Sequence, residues 1–226
     1  MPYIDRDTVD EKTKKKLDAI IEKSYSSYWK QKRSFDIFFA TLILLFFLPL
    51  MFIIAIVIVI DDPSAGPFYK QVRIGRHGNK FNMYKFRTMR ANADQMMQKL
   101  ASQNEMDGPV FKMKKDPRIT RVGRFLRKVS LDELMQFFNV LKGDMSIVGP
   151  RPPLPKEVDQ YTDYQKLRLL VTPGITCTWQ IQKNRNDIPF DQWVEMDIEY
   201  IQTRSYANDL KIMLMTPVAM FTATGR

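Results

Sequence analysis

The strongest pattern along this chain is a block with no polar face. From Ile37 to Ile60, 24 consecutive residues carry no charge, and only Thr41 and Pro49 interrupt the apolar side chains. A run of about 18 or more such residues reads as a membrane helix. Its late start, its length and its lack of a small-residue cleavage pattern separate it from a cleavable signal peptide. At about 1.5 Å per residue the block reaches about 36 Å, enough to cross a bilayer. Pro49 stands at its midpoint, lacks an N–H and crowds the carbonyl of Leu45, which disfavours a straight helix. A kinked crossing and a helix–break–helix that dips into one leaflet both satisfy this pattern. The flanks favour the second. Lys30, Lys32 and Arg33 precede the block and Lys70, Arg73 and Arg76 follow it, and basic residues mark the cytoplasmic side.

Elsewhere apolar and polar positions alternate. Residues 7–31 predict an amphipathic helix through Leu17, Ile20, Ile21, Tyr25, Tyr28 and Trp29, suited either to a headgroup zone or to packing on the protein body. Phe68–Ile74 and Lys80–Phe86 predict two strands joined by the turn at 75–79. Residues 91–102 predict a helix and 105–115 a loop. Ser130–Leu141 predicts a helix with Leu131, Leu134, Met135, Phe138 and Leu141 on one face and Gly143 as its stop. Met145–Val148 predicts a short strand, followed by a stiff Gly149-Pro150-Arg151-Pro152-Pro153 loop. Helices are expected over 158–170, 188–203 and 208–221, the last able to face a core or a membrane surface.

Charge changes the picture more than composition does. Among 226 residues, 35 Lys and Arg stand against 25 Asp and Glu, a net charge of +10. Such an excess suits a polyanionic partner. No acidic residue lies between Pro63 and Ala93, while Lys70, Arg73, Arg76, Lys80, Lys85, Arg87 and Arg90 do. A nucleic-acid partner is not expected, because no recognised nucleic-acid motif accompanies the charge. The single cysteine, Cys177, allows no internal disulfide, and the single histidine, His77, sits in a Gly-Asn turn. A conventional zinc site and a Ser-His-Asp triad are therefore not expected. Any covalent or acid–base work falls to carboxylates, hydroxyls or lysines.

Ser130-Leu131-Asp132-Glu133 admits two readings. Ser-x-x-Glu is a capping box, in which the acids serve only the helix start. Yet Arg118, Arg121, Arg124, Arg127 and Lys128 precede it at near-regular spacing. A helix start beside arginines makes a phosphate clamp. A carboxylate inside such a clamp can attack phosphorus and carry a covalent intermediate. Arg151, held between prolines, offers a further fixed guanidinium.

Several stretches together resemble the bacterial sugar transferase family, the monotopic phosphoglycosyl transferases. They are Lys32-Arg33-Ser34-Phe35-Asp36, Arg73-Ile74-Gly75-Arg76, Tyr84-Lys85-Phe86-Arg87-Thr88-Met89 and the segments 116–124, 130–134, 139–146 and 148–152. Pro173-Gly174-Ile175-Thr176 and Trp179-Gln180 continue the match, which covers roughly residues 32–221 in order. The resemblance implies an undecaprenyl-phosphate sugar-1-phosphate transferase with Asp132 and Glu133 as catalytic dyad and Asp132 as nucleophile. It implies Mg2+ held through Asp132, a UDP-sugar donor, undecaprenyl phosphate as acceptor and UMP as product. Arg127 and Arg151 map to phosphate-binding positions, with Lys85 and Arg87 as further candidates, and Pro49 maps to the break in the membrane helix. The expected architecture is α+β, mainly α. It is a monotopic membrane protein with an amphipathic segment at 1–33, a proline-broken re-entrant helix at 34–62 and a catalytic domain at 63–226 carrying a small β-hairpin. The expected location is the bacterial inner membrane, with the site on the cytoplasmic face; a homo-oligomer is compatible with the pattern. Cys177-Thr178 and Lys183-Asn184-Arg185 depart from the family, in the region tied to sugar choice. The rival reading is a non-catalytic membrane-surface adaptor of polysaccharide assembly, which explains the charge and the anchor but not the Asp-Glu pair.

Overall fold

The computed structural model describes residues 4–24, 28–93, 95–96, 113, 116–183, 185 and 187–222. Most of the loop expected at 105–115 and of the helix expected at 91–102 falls outside these residues. Helix α1 (Glu11–Ser24) starts where Asp10 accepts both the backbone N–H and the hydroxyl of Thr13. Its apolar stripe is buried, with Leu17 and Ile20 2–3 % exposed. Of the two readings of this segment, the one that packs it on the protein body holds.

Helix α2 (Tyr28–Asp61) runs for 34 residues through Pro49. The helical assignment is thus unbroken at the residue where the re-entrant break was expected. Proline removes one N–H and strains one turn, a cost that packing on both sides of it can absorb. Ala40, Leu44, Met51, Ile54 and Ile58 are buried at spacings of four, seven, three and four residues, a single stripe along the helix. The other face is bare: Phe38, Leu45, Phe46, Phe52 and Ile60 are 59–77 % exposed. Each large apolar side chain left in water forgoes about 1.5–3 kcal/mol of transfer energy, so this face calls for lipid.

The start of α2 is locked by a buried polar network. Lys32 Nζ lies 3.0 Å from Asp36 and 2.9 Å from Asp209. Asp209 also accepts from the hydroxyls of Tyr28 and Tyr200, at 2.6 and 2.7 Å. Buried charges persist only when paired and hydrogen-bonded in this way.

Strands β1 (Phe68–Ile74) and β2 (Lys80–Phe86) form the expected antiparallel hairpin, pairing Phe68 with Phe86 and Ile74 with Lys80. His77 adopts φ 56° at its tip, as a turn residue does. Helix α3 (Arg121–Lys128) is capped by Thr120, whose side chain accepts from Gly123 N–H. A 3-10 turn, Leu131–Glu133, leads to α4 (Gln136–Lys142). The expected helix from Ser130 is corrected here. Ser130 is left-handed at φ 54° and makes no capping bond, so the capping box is absent and the α-helix begins only at Gln136.

Strand β3 (Ser146–Val148) pairs in parallel with β4 (Gly174–Thr176), a partner the sequence did not announce. The approach needs glycine: a Cβ on Gly174 would meet the backbone N of Gly149 at 2.1 Å. The helix expected over 158–170 is instead three short pieces: α5 (Pro155–Val158), α6 (Asp163–Lys166) and a 3-10 turn at Leu167–Leu170. Thr162 caps α6 with a reciprocal bond to Gln165, restarting the chain after Tyr161. Helices α7 (Phe190–Thr203) and α8 (Tyr206–Thr222) close the body.

The body touches α2 at both ends. Arg33 donates to the carbonyls of Val140 and Leu141 at 2.5 and 2.8 Å, at the end of α4. At the far end Asp61 accepts from the backbone N–H of Val122 in α3. About 42 Å of helical path, by its rise per residue, separates these anchor points along the chain. Between them Leu126, Leu134 and Phe86 pack on Leu44, Met51, Ile54 and Ile58.

Candidate active site

The 3-10 turn carries the two acids, and the hairpin brings a cation to them. Asp132 is buried and Glu133 half-buried. Lys85, on β2, sets its Nζ 2.7 Å from Glu133 Oε1 and 3.9 Å from Asp132 Oδ2. Burial drives the Asp132 carboxyl above its ordinary pKa, against the pull of Lys85, and the charge of Glu133 adds to the rise while Arg127 opposes it. Burial also acts on Glu133, but Lys85, Arg151 and Arg73 outweigh it and hold that carboxyl below its ordinary value. The two neighbouring acids are thereby pushed apart in proton affinity, as acids with different roles are.

Arg127 approaches from α3, its Nε bonded to the Thr88 hydroxyl at 2.8 Å. Gly123 sits against the Thr88 carbonyl, where a Cβ would come within 2.1 Å, so α3 presses on the strand exit that orients Arg127. Arg151 projects from the loop after β3, near enough to depress Glu133. That loop is pinned by Gly174 N–H to Pro150 O at 2.9 Å and by Ile74 N–H to Pro153 O at 2.9 Å. Arg73 was not singled out for the site from the sequence. It donates to Pro152 O at 2.9 Å and to Gln71, and burial beside Arg151 lowers its pKa to about 10. Its signal was available: an arginine on an inward-facing strand position within an acid-free stretch.

Two expectations change. Arg87 turns away, donating to the carbonyls of Gly66 and Phe68 at 2.7 and 3.2 Å, because β2 ends at Phe86 and the chain there follows the edge of β1. The arginine ladder contributes Arg127 rather than a row. Arg118 is bound to Asp116 at 2.6 Å, and Arg121 and Arg124 lie exposed on α3. Asn139 is a second residue the sequence concealed. Fully buried, it accepts from Tyr84 N–H at 2.9 Å and donates to Asn82 O at 2.7 Å and to Asp144 at 3.1 Å. Its amide thus completes the free edge of β2 and sets the height of Lys85.

The bacterial sugar transferase profile matches residues 27–223, a span that includes every group described above. The chain belongs to the bacterial sugar transferase family. It is similar to "Galactosyl transferase CpsE" of Streptococcus agalactiae, 48 % identical over 72 % of this chain and 36 % of that protein. It is 41 % identical to "Undecaprenyl-phosphate galactose phosphotransferase" of Salmonella typhimurium over 86 % of this chain and 41 % of that one. With "Exopolysaccharide production protein ExoY" of Sinorhizobium fredii it shares 39 % identity over 86 % of this chain and 87 % of the other. The chain thus spans about two-fifths of the length of the first two relatives and most of the third.

The family resemblance implies a divalent cation. Among the described residues no cluster of three or more His, Cys, Asp or Glu could cage one. The dyad nevertheless fits a hard cation that arrives with phosphate oxygens. The Asp132 carboxylate accepts no side-chain hydrogen bond among the described residues, its nearest cation being Lys85 at 3.9 Å. Mg2+ takes one or two carboxylates and completes its shell with phosphate and water.

Proposed function

We propose that this sugar transferase moves a sugar-1-phosphate from a UDP-sugar to undecaprenyl phosphate at the cytoplasmic face of a bacterial inner membrane. The observation that carries the reading is the Asp132–Glu133 pair, one acid buried and the other half-buried, split in proton affinity by Lys85, Arg127, Arg151 and Arg73. A carboxylate attacking a phosphate diester meets like charge, and preset cations lower that barrier. Asp132 Oδ attacks the phosphorus that bears the sugar. The bond from that phosphorus to the bridging oxygen breaks, and UMP leaves with the electron pair. An oxygen of the lipid phosphate then attacks the same phosphorus and frees Asp132, giving a diphosphate-linked lipid sugar. Arg127 and Arg151 orient the phosphates, and Lys85 keeps Glu133 ionised. Bound Mg2+, held through Asp132, would supply further charge neutralisation to the diphosphate.

The membrane half of the reading is supported by α2. Its anchor points, Arg33 and Asp61, stand at opposite ends of the apolar run, and both engage one polar body. A crossing helix would drag that body, dyad included, into lipid. A helix with one face on the body and the other in a single leaflet keeps both flanks cytoplasmic, as a monotopic protein requires.

The test is UMP release from UDP-galactose or UDP-glucose by membranes carrying the protein, with and without polyprenyl phosphate. Sugar-labelled donor should leave label on the protein when acceptor is withheld, and Asp132→Asn should abolish both signals. Substantial turnover by Asp132→Asn would remove the covalent route, and no UMP release by the native chain with any donor would favour the adaptor.

A further inference from the structure

Arg151 is carried by a loop with few handles. Pro150, Pro152 and Pro153 have no N–H, so between Gly149 and Leu154 the only backbone donor is that of Arg151 itself. Among the described residues the Arg151 guanidinium has no hydrogen bond or ion pair, so the loop sets its aim. Strand β1 holds two carbonyls of that loop. Arg73 Nη1 donates to Pro152 O and Ile74 N–H donates to Pro153 O, both at 2.9 Å. The next backbone group is Leu154 N–H, and Glu157 Oε2 accepts it at 2.8 Å. Three consecutive residues after Arg151 are thus tied, two to β1 and the third to α5.

Helix capping alone does not explain an acid at position 157. Helix α6 has the same four-residue length as α5, and it starts on the hydroxyl of Thr162, an exposed residue. Glu157 is 4 % exposed, and a carboxylate so deeply buried is costly unless its surroundings compensate it. Glu157 lines a void of about 10 Å³, room for about one water, together with Arg151 and Arg168. Its charge also reaches the other arginine of the loop. Burial and then Arg151 depress the pKa of Arg73, and Glu157 is the first charge that opposes them. One buried acid therefore holds the exit of the loop, shares a void with the side chain the loop presents, and favours the charged form of the arginine that pins it from β1.

We propose that Glu157 is a positioning residue for Arg151: by closing the exit of the loop it fixes where the guanidinium meets the donor phosphates. The inference rests on the phosphate-orienting role assigned to Arg151 under the proposed function.

The experiment is a mutant cycle on UMP release by membranes carrying the whole protein, with UDP-galactose or UDP-glucose as donor. Glu157→Gln and Glu157→Met are equal in charge and similar in volume, and only glutamine retains a strong acceptor for Leu154 N–H. The kcat/KM of Glu157→Met should lie about tenfold or more below that of Glu157→Gln, the scale of loss when a phosphate-positioning group is displaced. In an Arg151→Gln background the same pair should differ by about twofold at most, because no guanidinium remains to be aimed. Thr162→Ala removes the neighbouring cap and should lower the melting temperature while leaving kcat/KM unchanged. Should Glu157→Met not fold, the native protein and Glu157→Asp, equal in charge but with the carboxylate one methylene short, form the pair. Equal kcat/KM within the pair, or a gap that persists in the Arg151→Gln background, would overturn the inference and leave the role of Arg151 standing. Full kcat/KM in Arg151→Gln alone would overturn that role, and the inference with it.

Discussion

The side-chain oxygen of Asn139 accepts the backbone N–H of Tyr84 at 2.9 Å, one residue before the lysine that serves the dyad. The same amide donates to Asn82 O, so a single side chain occupies two adjacent groups on the edge of β2. Asn139→Ala leaves both buried and unsatisfied, at about 1–3 kcal/mol each. We expect a clear fall in melting temperature, and a fall in kcat that exceeds any change in KM. Asn139→Asp keeps the acceptor for Tyr84 and should retain more activity than Asn139→Ala. Equal kcat in all three proteins would detach Asn139 from the site.

Asp132→Asn should raise stability at neutral pH as it removes turnover. The folded-state pKa of Asp132 lies above its unfolded value because of burial. Such a group favours the fold below its unfolded pKa and loses that contribution as pH rises through the folded one. The asparagine variant escapes this loss. Its melting temperature should exceed that of the native protein at pH 7 and converge with it in acid, near the ordinary aspartate range. A lower melting temperature at pH 7 would contradict the burial argument.

Lys85→Met removes the largest charge that holds Glu133 ionised. Turnover should fall by about 10²-fold or more, the scale seen when one preset electrostatic contact is lost. Lys85→Arg restores the charge with altered reach and should recover part of it. Initial rates of UMP release across pH 5–9 provide the check, with the acid limb of Lys85→Met displaced upward.

Arg127→Ala should lower kcat/KM more than Arg127→Lys, and Thr88→Val should do so mildly by freeing the Nε that Thr88 now holds at 2.8 Å. Excess chelator should halt UMP release, and added Mg2+ should restore it. Full activity in chelator would exclude the dyad as a metal-assisted site.

Cysteines introduced at Gln31 and Ser64, both exposed, should react with an impermeant thiol reagent from the same side of a sealed vesicle. Native Cys177 is 2 % exposed, and burial pushes its thiol pKa well up, so the background should be low. Labelling from opposite sides would replace the monotopic arrangement with a crossing helix.

What the sequence disclosed was mostly local. The apolar block, the hairpin and the Asp132–Glu133 pair are contiguous features whose periodicity or motif survives without tertiary context. The capping box at Ser130 was misleading for a physical reason. Ser130 turns left-handed, and the Glu133 side chain finds Lys85, 48 residues away, instead of the helix start. Strand β4 was hidden because three residues hold no period, and its parallel pairing depends on two glycines 25 positions apart, Gly149 and Gly174. Arg87 and Lys85 are two residues apart with the same alternation, but the strand ends between them, a boundary that pattern alone does not fix.

The stripe on α2 has a consequence for the dyad. Leu134, the residue after Glu133, packs with Leu126 and Phe86 on Leu44, Met51 and Ile54 of the membrane helix. The turn that aims the acids is therefore supported by the same helix whose outer face needs lipid. Whatever covers the outer face of α2 therefore also steadies the turn, and loss of that cover unbraces both at once. The geometry of the acids and the seating of the membrane helix are thereby one mechanical unit, and a change on the outer face of α2 is felt at the dyad.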